Sequence, residues 1–472
     1  MKGGEIMNYK TRLIKLKLSR GEIKVLQFLT NISKRVYNTG LANIKKYYQE
    51  KNKILSYFDN CKLLKNIELA SFLNAEIFQR TLNRVSASIE SYFKLKNLGL
   101  NPKFPDFLKN KYYPLMFSYL GIKKINNKKY FKIPLSITCK EIFRLLPDFN
   151  CIKDLGLNPN TLDIPESYFL TFSLPKDIEN KKIKEVSIIP TYNGRRFDMS
   201  ITYIDDTIYE IVKGCDVLAI DFGVNNLMTC TTTKGESFIV DGKRIKSMNQ
   251  YFNKKISYLN KYNNYVLHKT LINNEIQYVK IKREELKPNE SYKIIKTKRM
   301  IRLIEKHENK IQDYIYKSCN FVLSYCMNNN ISTVVIGYNK TFQTGSFDST
   351  SKKVNRQNNQ KFKSIPFGKI KNRLEYILKL HNIKVVIQEE SYTSKASFFD
   401  GDYIPLYGEN SIHNFSGTRV KRGLYKTASG KCINADVNGS LNILTKSNVC
   451  DKSIIDNLRH RGVSTPMRYT IL

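Results

Sequence analysis

The sequence predicts a multidomain α/β protein: a small β-barrel carrying an inserted helical domain, followed by a larger mixed-sheet domain. Three observations predict it. At 472 residues the chain exceeds what one hydrophobic core ordinarily holds. Between residues 128 and 204, β-branched and aromatic runs alternate with turn residues. From Gly214 onward, buried-strand patterns alternate with long helical ones.

In chain order, YKTRLIKLKL at residues 9–18 alternates basic and apolar positions, the pattern of a half-buried strand with a positive outer face. A lone strand is not stable, so it is expected to return to the later β runs. Apolar residues then recur at helical spacing, with Val25, Phe28, Leu29, Ile32, Val36 and Leu41 on one stripe and Ile67, Ala70, Leu73, Ile77 and Phe78 on another. NPKFPDFLKNKYYP at 101–114 ends that pattern with three prolines among lysines and aromatics. It reads either as a loop that meets phosphates and stacks bases or as a plain basic surface loop. KKYFKIPLSI, SYFLTFSL, KEVSIIPTY and RRFDMSITYI supply the barrel strands. The expected domains are a β-barrel from 9–20 and 128–213, and a helical domain from 21–127.

In the larger domain, VLAIDFG reads as a buried strand, and NLMTCTTT with ESFIV as a hairpin turning at Lys234-Gly235. STVVIGYN and IKVVIQEE are two more buried strands. The basic stretch 243–328, between the β-hairpin and STVVIG, is expected to be a long helical hairpin, with Ile301, Ile304, Ile311, Ile315, Val322 and Cys326 on the sheet side of its second arm. Further helices are expected over 366–381 and 436–446. The order of strand, hairpin, helices, strand, helix, strand, helix matches an RNase H-like fold over 214–391 and 432–446. Residues 392–431 are then an insertion and 447–472 a C-terminal tail.

Three acids stand at the ends of these elements: Asp221 in DVLAIDFGVNNL, Glu390 in IKVVIQEESYTSK and Asp436 in INADVNGSLNIL. Carboxylates converging from separate elements are what a two-metal phosphodiester-cutting site requires, because Asn or Gln cannot offset two divalent charges. Asp221 lies between Ile220 and Phe222, where a charge without a cation would be costly. Asp436 by itself is equally explained as an acid favoured at a helix start. Either Glu389 or Glu390 could be the ligand, its neighbour being solvated.

The rest of the chain is strongly positive. Lys and Arg total 79 against 41 Asp and Glu, a net charge of +38, which attracts a polyanion through counterion release. An AT-rich genome would also enrich Lys, Asn, Ile and Tyr, so part of the excess carries no function. MKGGEIMNYK lacks the apolar segment of a secretory signal, and no run of about 18 apolar residues exists for a membrane span, so a cytoplasmic protein is expected. Nine cysteines form no CxxC pair, which supports neither a zinc knuckle nor a disulfide framework. Lys2-Gly3-Gly4-Glu5 can be encoded by a purine-rich ribosome-binding sequence, which marks Met7 as the expected start.

In these residues the chain resembles the TnpB family of transposon-encoded, RNA-guided DNA endonucleases and their relatives, the compact type V CRISPR effectors with one RuvC nuclease domain. The resemblance runs through VYNTGL, NPKFPDF, KEVSIIPTYNGRRF, AIDFGVNNL, DGKRIKSMNQYFNKK, VVIGYN, IPFGKI, YTSKAS and ADVNGSLNIL, most of the chain. It implies a RuvC-like nuclease domain, a wedge β-barrel and a helical recognition domain. It also implies two Mg2+ held by Asp221, Glu390 and Asp436, a guide RNA encoded next to the gene, a double-stranded DNA target with a short flanking motif, and a monomeric protein. Lys254, Lys255, Lys296, Lys298, Arg299 and Arg302 on the helical hairpin are then candidate phosphate contacts.

Two departures mark a particular branch. Where the family usually has its second catalytic Glu, after STVVIG, this chain has Gly337-Tyr338-Asn339, and Glu390 on the neighbouring strand takes the role in preference to Glu389. Where relatives carry a zinc ribbon, TSKASFFDG puts Ser397 and Asp400 at the cysteine positions, so no zinc is expected. The segment 392–431 is expected to persist as a metal-free loop whose Lys395, Arg419, Lys421, Arg422 and Lys426 guide a DNA strand toward the site, a merely solvated insertion being the rival reading. The alternatives are an RNA-guided DNA-binding repressor without nuclease activity, a compact type V CRISPR effector, and a transposase acting without RNA.

Overall fold

The computed structural model describes residues 9–118, 122–125, 128–139, 170–272, 275–288, 290–339, 362–406, 408–409, 413–421 and 423–471. The expected start at Met7, Arg422 and the first residues of SYFLTFSL lie outside the described residues. The chain divides into two compact units, up to Thr207 and from Ile208.

In the first unit, β1 (Tyr9–Lys15) pairs antiparallel with β7 (Arg196–Ile204), which pairs with β6 (Ile183–Thr191), which pairs with β2 (Leu115–Ser118). Between β1 and β2 run α1 (Arg20–Lys51), α2 (Tyr57–Leu64), the single turn α3 (Glu68–Ser71) and α4 (Ala75–Asn97). Ser19 and Glu22 close a capping box at the start of α1, satisfying two backbone donors that the helix leaves over. The second apolar stripe is not one helix: Asn74 caps α4 and splits it after Leu73.

Instead of one closed barrel, the described strands form that four-stranded sheet and a separate antiparallel sheet of β3 (Ile122–Ile125), β4 (Lys128–Ile133) and β5 (Leu170–Ser173). Helices and sheets also share a core. Val25, Leu29, Ile77 and Leu82 of the helices pack in one cluster with Phe117, Phe131, Val186 and Ile201 of the strands. Each such side chain, fully buried, contributes about 1.5–3 kcal/mol, so the helical layer is held by the sheet as well as by a smaller cluster of its own, Tyr37, Leu41, Ile44, Val85 and Ile89. In the 101–114 loop, Phe104 packs against Tyr92 with ring centroids 4.9 Å apart, and Asn38 hydrogen bonds the Leu108 backbone in both directions. Packing thus occupies Phe104, while Phe107 stays 43% exposed.

The second unit is built on a six-stranded sheet. Its strands β8 (Asp216–Phe222), β9 (Asn226–Thr232) and β10 (Ser237–Asp241) form the antiparallel meander. On the other side of β8 lie β14 (Ile331–Gly337) and β15 (Lys384–Gln388), both parallel additions. The succession of strand, hairpin, strand and strand along the chain is the one expected for this domain.

One face of the sheet is covered by α5 (Lys243–Lys261), α6 (Lys298–Asn328) and α7 (Phe367–Leu380), where Ile315, Val322 and Leu374 meet Leu218 and Ile220. The other face carries α8 (Ala435–Lys446) and α9 (Lys452–Arg461), with Leu441, Ile455 and Leu458 against Val217 and Ala219. No helix among the described residues is long and apolar enough to cross a membrane.

Two expectations are corrected here. The stretch 243–328 is not a continuous helical hairpin: between α5 and α6 it forms β11 (Tyr265–Ile272), β12 (Glu275–Lys282) and β13 (Tyr292–Ile294), an antiparallel three-stranded sheet. YVLHKTLI and EIQYVKIK alternate with period 2, and that local signal outweighs the helical pattern on either side. Residues 447–472 are not a tail. Beyond α9, β19 (Met467–Tyr469) extends the central sheet parallel to β10, and Arg468 pairs with Asp241 at 3.1 Å.

Candidate active site

Strand β8 is apolar because neighbours pair on both sides and helices cover both faces. Alternation sends Leu218 and Ile220 to the α6 side and Val217, Ala219 and Asp221 to the α8 side. Helix α8 starts at Asn434, whose side chain accepts hydrogen bonds from the amides of Asp436 and Val437. Its polar residues fix its position on the sheet. Ser440 donates to the Ala219 carbonyl at 2.9 Å, while Asn438 and Asn442 bind the backbone of Thr393, Ala396 and Phe398. Gly439 faces Asp221 so closely that a Cβ there would lie 2.9 Å from Asp221 Oδ2. A side chain would push the carboxylate off the helix. These contacts account for the residue types in DVNGSLN.

Glu390 follows β15, beside Gly337 at the end of β14, whose register partner is Gln388. A Cβ on Gly337 would stand 3.1 Å from Glu390 Oε2 and 2.4 Å from Ile443 Cδ1. The Glu390 carboxylate therefore lies where a side chain from position 337 would begin. Its Oε2 is buried and has no hydrogen-bond partner among the described residues. Glu389 turns elsewhere, accepting from Lys446 Nζ at 2.8 Å and from the Ser391 amide at 2.6 Å.

The electrostatics separate these carboxylates. Burial pushes Asp221 well above the ordinary carboxyl range, and the negative charges of Glu390 and then Asp436 push it further, opposed by Arg419. Burial, with the charge of Glu389, raises Glu390 to about 7, opposed by Lys446. Burial alone would raise Glu389 as well, but hydrogen bonds from Lys446 and Ser391 outweigh it and hold it below its usual value. Lys446, with its side chain 4% exposed, also donates to the carbonyls of Ser391 and Pro405. Lys446→Met is expected to cost about 2–3 kcal/mol, read as a lower denaturation midpoint, because three acceptors lose a charged donor.

Asp436 accepts from Asn226 Nδ2 at 2.6 Å through Oδ2 and meets Arg419 at 3.4 Å through Oδ1. Among the described residues, no three His, Cys, Asp or Glu side chains could hold a metal ion together. Asp221 instead interacts with each of the other two acids. A cavity of about 410 Å³ opens beside Asp436, lined by Asn225, Asn226, Lys243, Arg419 and Arg468.

Of the basic residues singled out in the sequence, the structure brings Arg419 to the acids. Lys254 and Lys255 on α5, Lys298, Arg299 and Arg302 on α6, and Lys395 and Lys421 are solvent-exposed. Sequence reasoning missed Asn226, Lys243 and Lys446. The second Asn of DFGVNNL was a signal for the first of these, since an amide close to an acidic motif can position a carboxylate.

The segment 392–431 is held by carboxylates. Asp400 accepts from Ser397 Oγ at 2.5 Å and the Ala428 amide at 2.9 Å, while Asp402 accepts from the amides of Ser397 at 2.8 Å and Ser416 at 3.1 Å. This clasp steadies the sheet of β16 (Thr418–Lys421), β17 (Leu424–Lys426) and β18 (Cys432–Asn434), which carries Arg419. Asp402→Ala removes charged hydrogen bonds worth about 2 kcal/mol and is expected to speed amide exchange across 413–421, measured by mass spectrometry.

Comparison with known proteins follows the same geometry. Residues 201–343, which contain Asp221, match the OrfB_IS605 family, described as a probable transposase. Residues 367–443, which contain Glu390 and Asp436, match the Cas12f1-like TNB domain. None of the curated proteins matches the chain. Among solved structures, the Cas12f1-sgRNA-target DNA complex is similar at 15% identity and a TM-score of 0.54, over 90% of this chain and 83% of that one. The mini-RNA-guided endonuclease CRISPR-Cas_phi3 aligns at 9% identity and a TM-score of 0.45, over 94% of this chain and 93% of that one. The first likeness shows a mixed α/β multidomain fold of the Cas12f kind, and the resemblance read from the sequence is borne out: the chain is TnpB-like.

Proposed function

We propose that this protein is an RNA-guided DNA endonuclease of a mobile element, cutting phosphodiesters at Asp221, Glu390 and Asp436 on targets chosen by guide pairing and a short flanking motif. The observation that carries the reading is Glu390, whose buried, unpartnered oxygen stands at the place left open by Gly337 and whose charge acts on Asp221. Enclosed carboxylates held above their ordinary range favour a cation, and an all-oxygen donor set suits Mg2+. Asp221, Glu390 and Asp436 would be the residues that hold the ions, since Asp221 feels the charge of both other acids. Bound there, the ions would supply Lewis acidity at the scissile phosphate and a more acidic water.

The chain's own groups orient and neutralise. Asn226 fixes the rotamer of Asp436, Gly439 admits Asp221 against α8, and Lys446 keeps Glu389 away from Glu390. Arg419 and Lys243 line the adjoining cavity with positive charge suited to a phosphate backbone. The clasp of Asp400 and Asp402 replaces the zinc ribbon, so no stoichiometric zinc is expected in elemental analysis of the purified protein.

The test is purification with co-expressed flanking RNA, followed by plasmid cleavage with Mg2+. Target binding without cleavage would instead support an RNA-guided repressor, the reading favoured by Gly337 at the usual glutamate position. Cleavage that needs no RNA would sink the guided reading altogether.

A further inference from the structure

The sheet β11–β13, inserted between α5 and α6, has a face with no role in the site described above. Pairing fixes which residues share it. Tyr265 opposes Lys282, Leu267 opposes Lys280 and, on its other side, Lys293, and Lys269 opposes Tyr278. Alternation puts all of these on one face and sends Val266, His268, Val279, Ile281 and Tyr292 to the other. The first face therefore presents four lysines and two tyrosines, and among the described residues it carries no carboxylate. Tyr265 and Tyr278 are 42% and 41% exposed, and the four lysines are exposed with them.

The charges and rings are interleaved. Lys280 Nζ lies 4.3 Å from the Tyr265 ring centroid and Lys293 Nζ 3.8 Å from that of Tyr278. None of the four lysines is in an ion pair among the described residues. The carboxylate of Glu290 meets His268, whose side chain belongs to the opposite face. Nor is the sheet a loose appendage: Arg283 donates to the Asn260 carbonyl at 2.9 Å and Asn263 to the Ile295 carbonyl at 2.7 Å, tying its base to the end of α5.

We propose that this face is a docking platform for single-stranded RNA, with bases stacking on Tyr265 and Tyr278 and phosphates met by Lys269, Lys280, Lys282 and Lys293. A sheet with exposed aromatics flanked by cations suits unpaired bases, since every base has a π-face and every linkage a negative charge. A protein ligand would need apolar burial or acidic patches opposite these lysines, and a duplex would leave the tyrosines without unstacked bases. The choice of RNA over DNA rests on the RNA-guided reading, because the guide is the strand held before any target arrives.

The probe is a 12-residue oligouridine containing 4-thiouridine, photocrosslinked to the full-length protein, with peptides mapped by mass spectrometry and an equally long oligothymidine as competitor. Crosslinks at Tyr265 or Tyr278 are expected, and Tyr265→Ala with Tyr278→Ala should weaken oligouridine binding at least tenfold. Lys269→Ala with Lys282→Ala should lower the slope of log affinity against log salt by about 1.4. Crosslinks absent from 265–294, or unchanged affinity in the tyrosine variant, overturn the proposal. Oligothymidine that crosslinks there and competes as well as oligouridine overturns the commitment to RNA. All these substitutions lie on an exposed face, and an unchanged thermal midpoint confirms folding. Plasmid cleavage by the wild type is scored separately, so crosslinking without cleavage leaves the platform standing and removes the endonuclease.

Discussion

Glu390→Gln is expected to lower plasmid cleavage roughly a thousandfold or more, beyond the 10–100-fold typical of residues that only support a metal ligand. Binding of target DNA by the RNA-loaded protein should be unchanged, as read by filter binding. Glu389→Gln is the matched control. Its one remaining oxygen can still accept from Lys446, which also keeps the carbonyls of Ser391 and Pro405, so the buried lysine is not stranded and cleavage should stay within a few-fold of wild type. Cleavage that survives at position 390 and is lost at 389 would reverse the assignment.

The same geometry says why the missing glutamate is not restored by writing it back. At Gly337 a Cβ would meet Ile443 Cδ1 at 2.4 Å and Glu390 Oε2 at 3.1 Å. Glu390→Ala combined with Gly337→Glu should therefore remain inactive until Ile443 is also reduced in size. The two positions compete for one space, so a chain that uses Glu390 has good reason to keep glycine at 337.

How much of this was legible in the sequence depended on whether the signal was local. Asp221, Glu390 and Asp436 stand at ends of strongly patterned elements, and the succession of those elements along the chain followed from the spacing of apolar runs. Choosing Glu390 over Glu389 from the residues alone was impossible, because the decision lies with Lys446, 57 positions from Glu389 along the chain. β19 was invisible for a similar reason: three residues carry no period, and only pairing with β10 and the Arg468–Asp241 contact make them a strand. The inserted sheet was readable and was obscured by its helical flanks. The clasp at Asp400 and Asp402 was not, since carboxylates in a loop look alike whether they accept backbone amides or face water.

Asp221→Asn carries the second large expectation, with opposite effects on activity and stability. Cleavage should vanish, while in EDTA near neutral pH the variant should melt several degrees higher than wild type, about 5 °C for 1–2 kcal/mol in a unit of this size. The sign follows from the direction of the shifts. A carboxyl whose pKa is raised by folding costs nothing below its unfolded value and destabilises the folded state progressively as pH rises through its folded value. For Glu390 that window runs from its usual 4.5 to about 7. Asp221 is raised by the same kind of burial and by Glu390, so making it neutral removes that cost. Melting curves of the wild type minus those of the variant should therefore diverge with rising pH in EDTA and converge below about pH 4. Added Mg2+ should raise the wild-type midpoint above pH 7 and leave the variant nearly unchanged, because ions that bind only the folded state stabilise it in proportion to their affinity. A variant less stable than wild type in EDTA would mean that the Asp221 charge is already compensated within the protein, by Arg419 or another cation. The acid cluster would then be a structural ion-pair network with no need of metal.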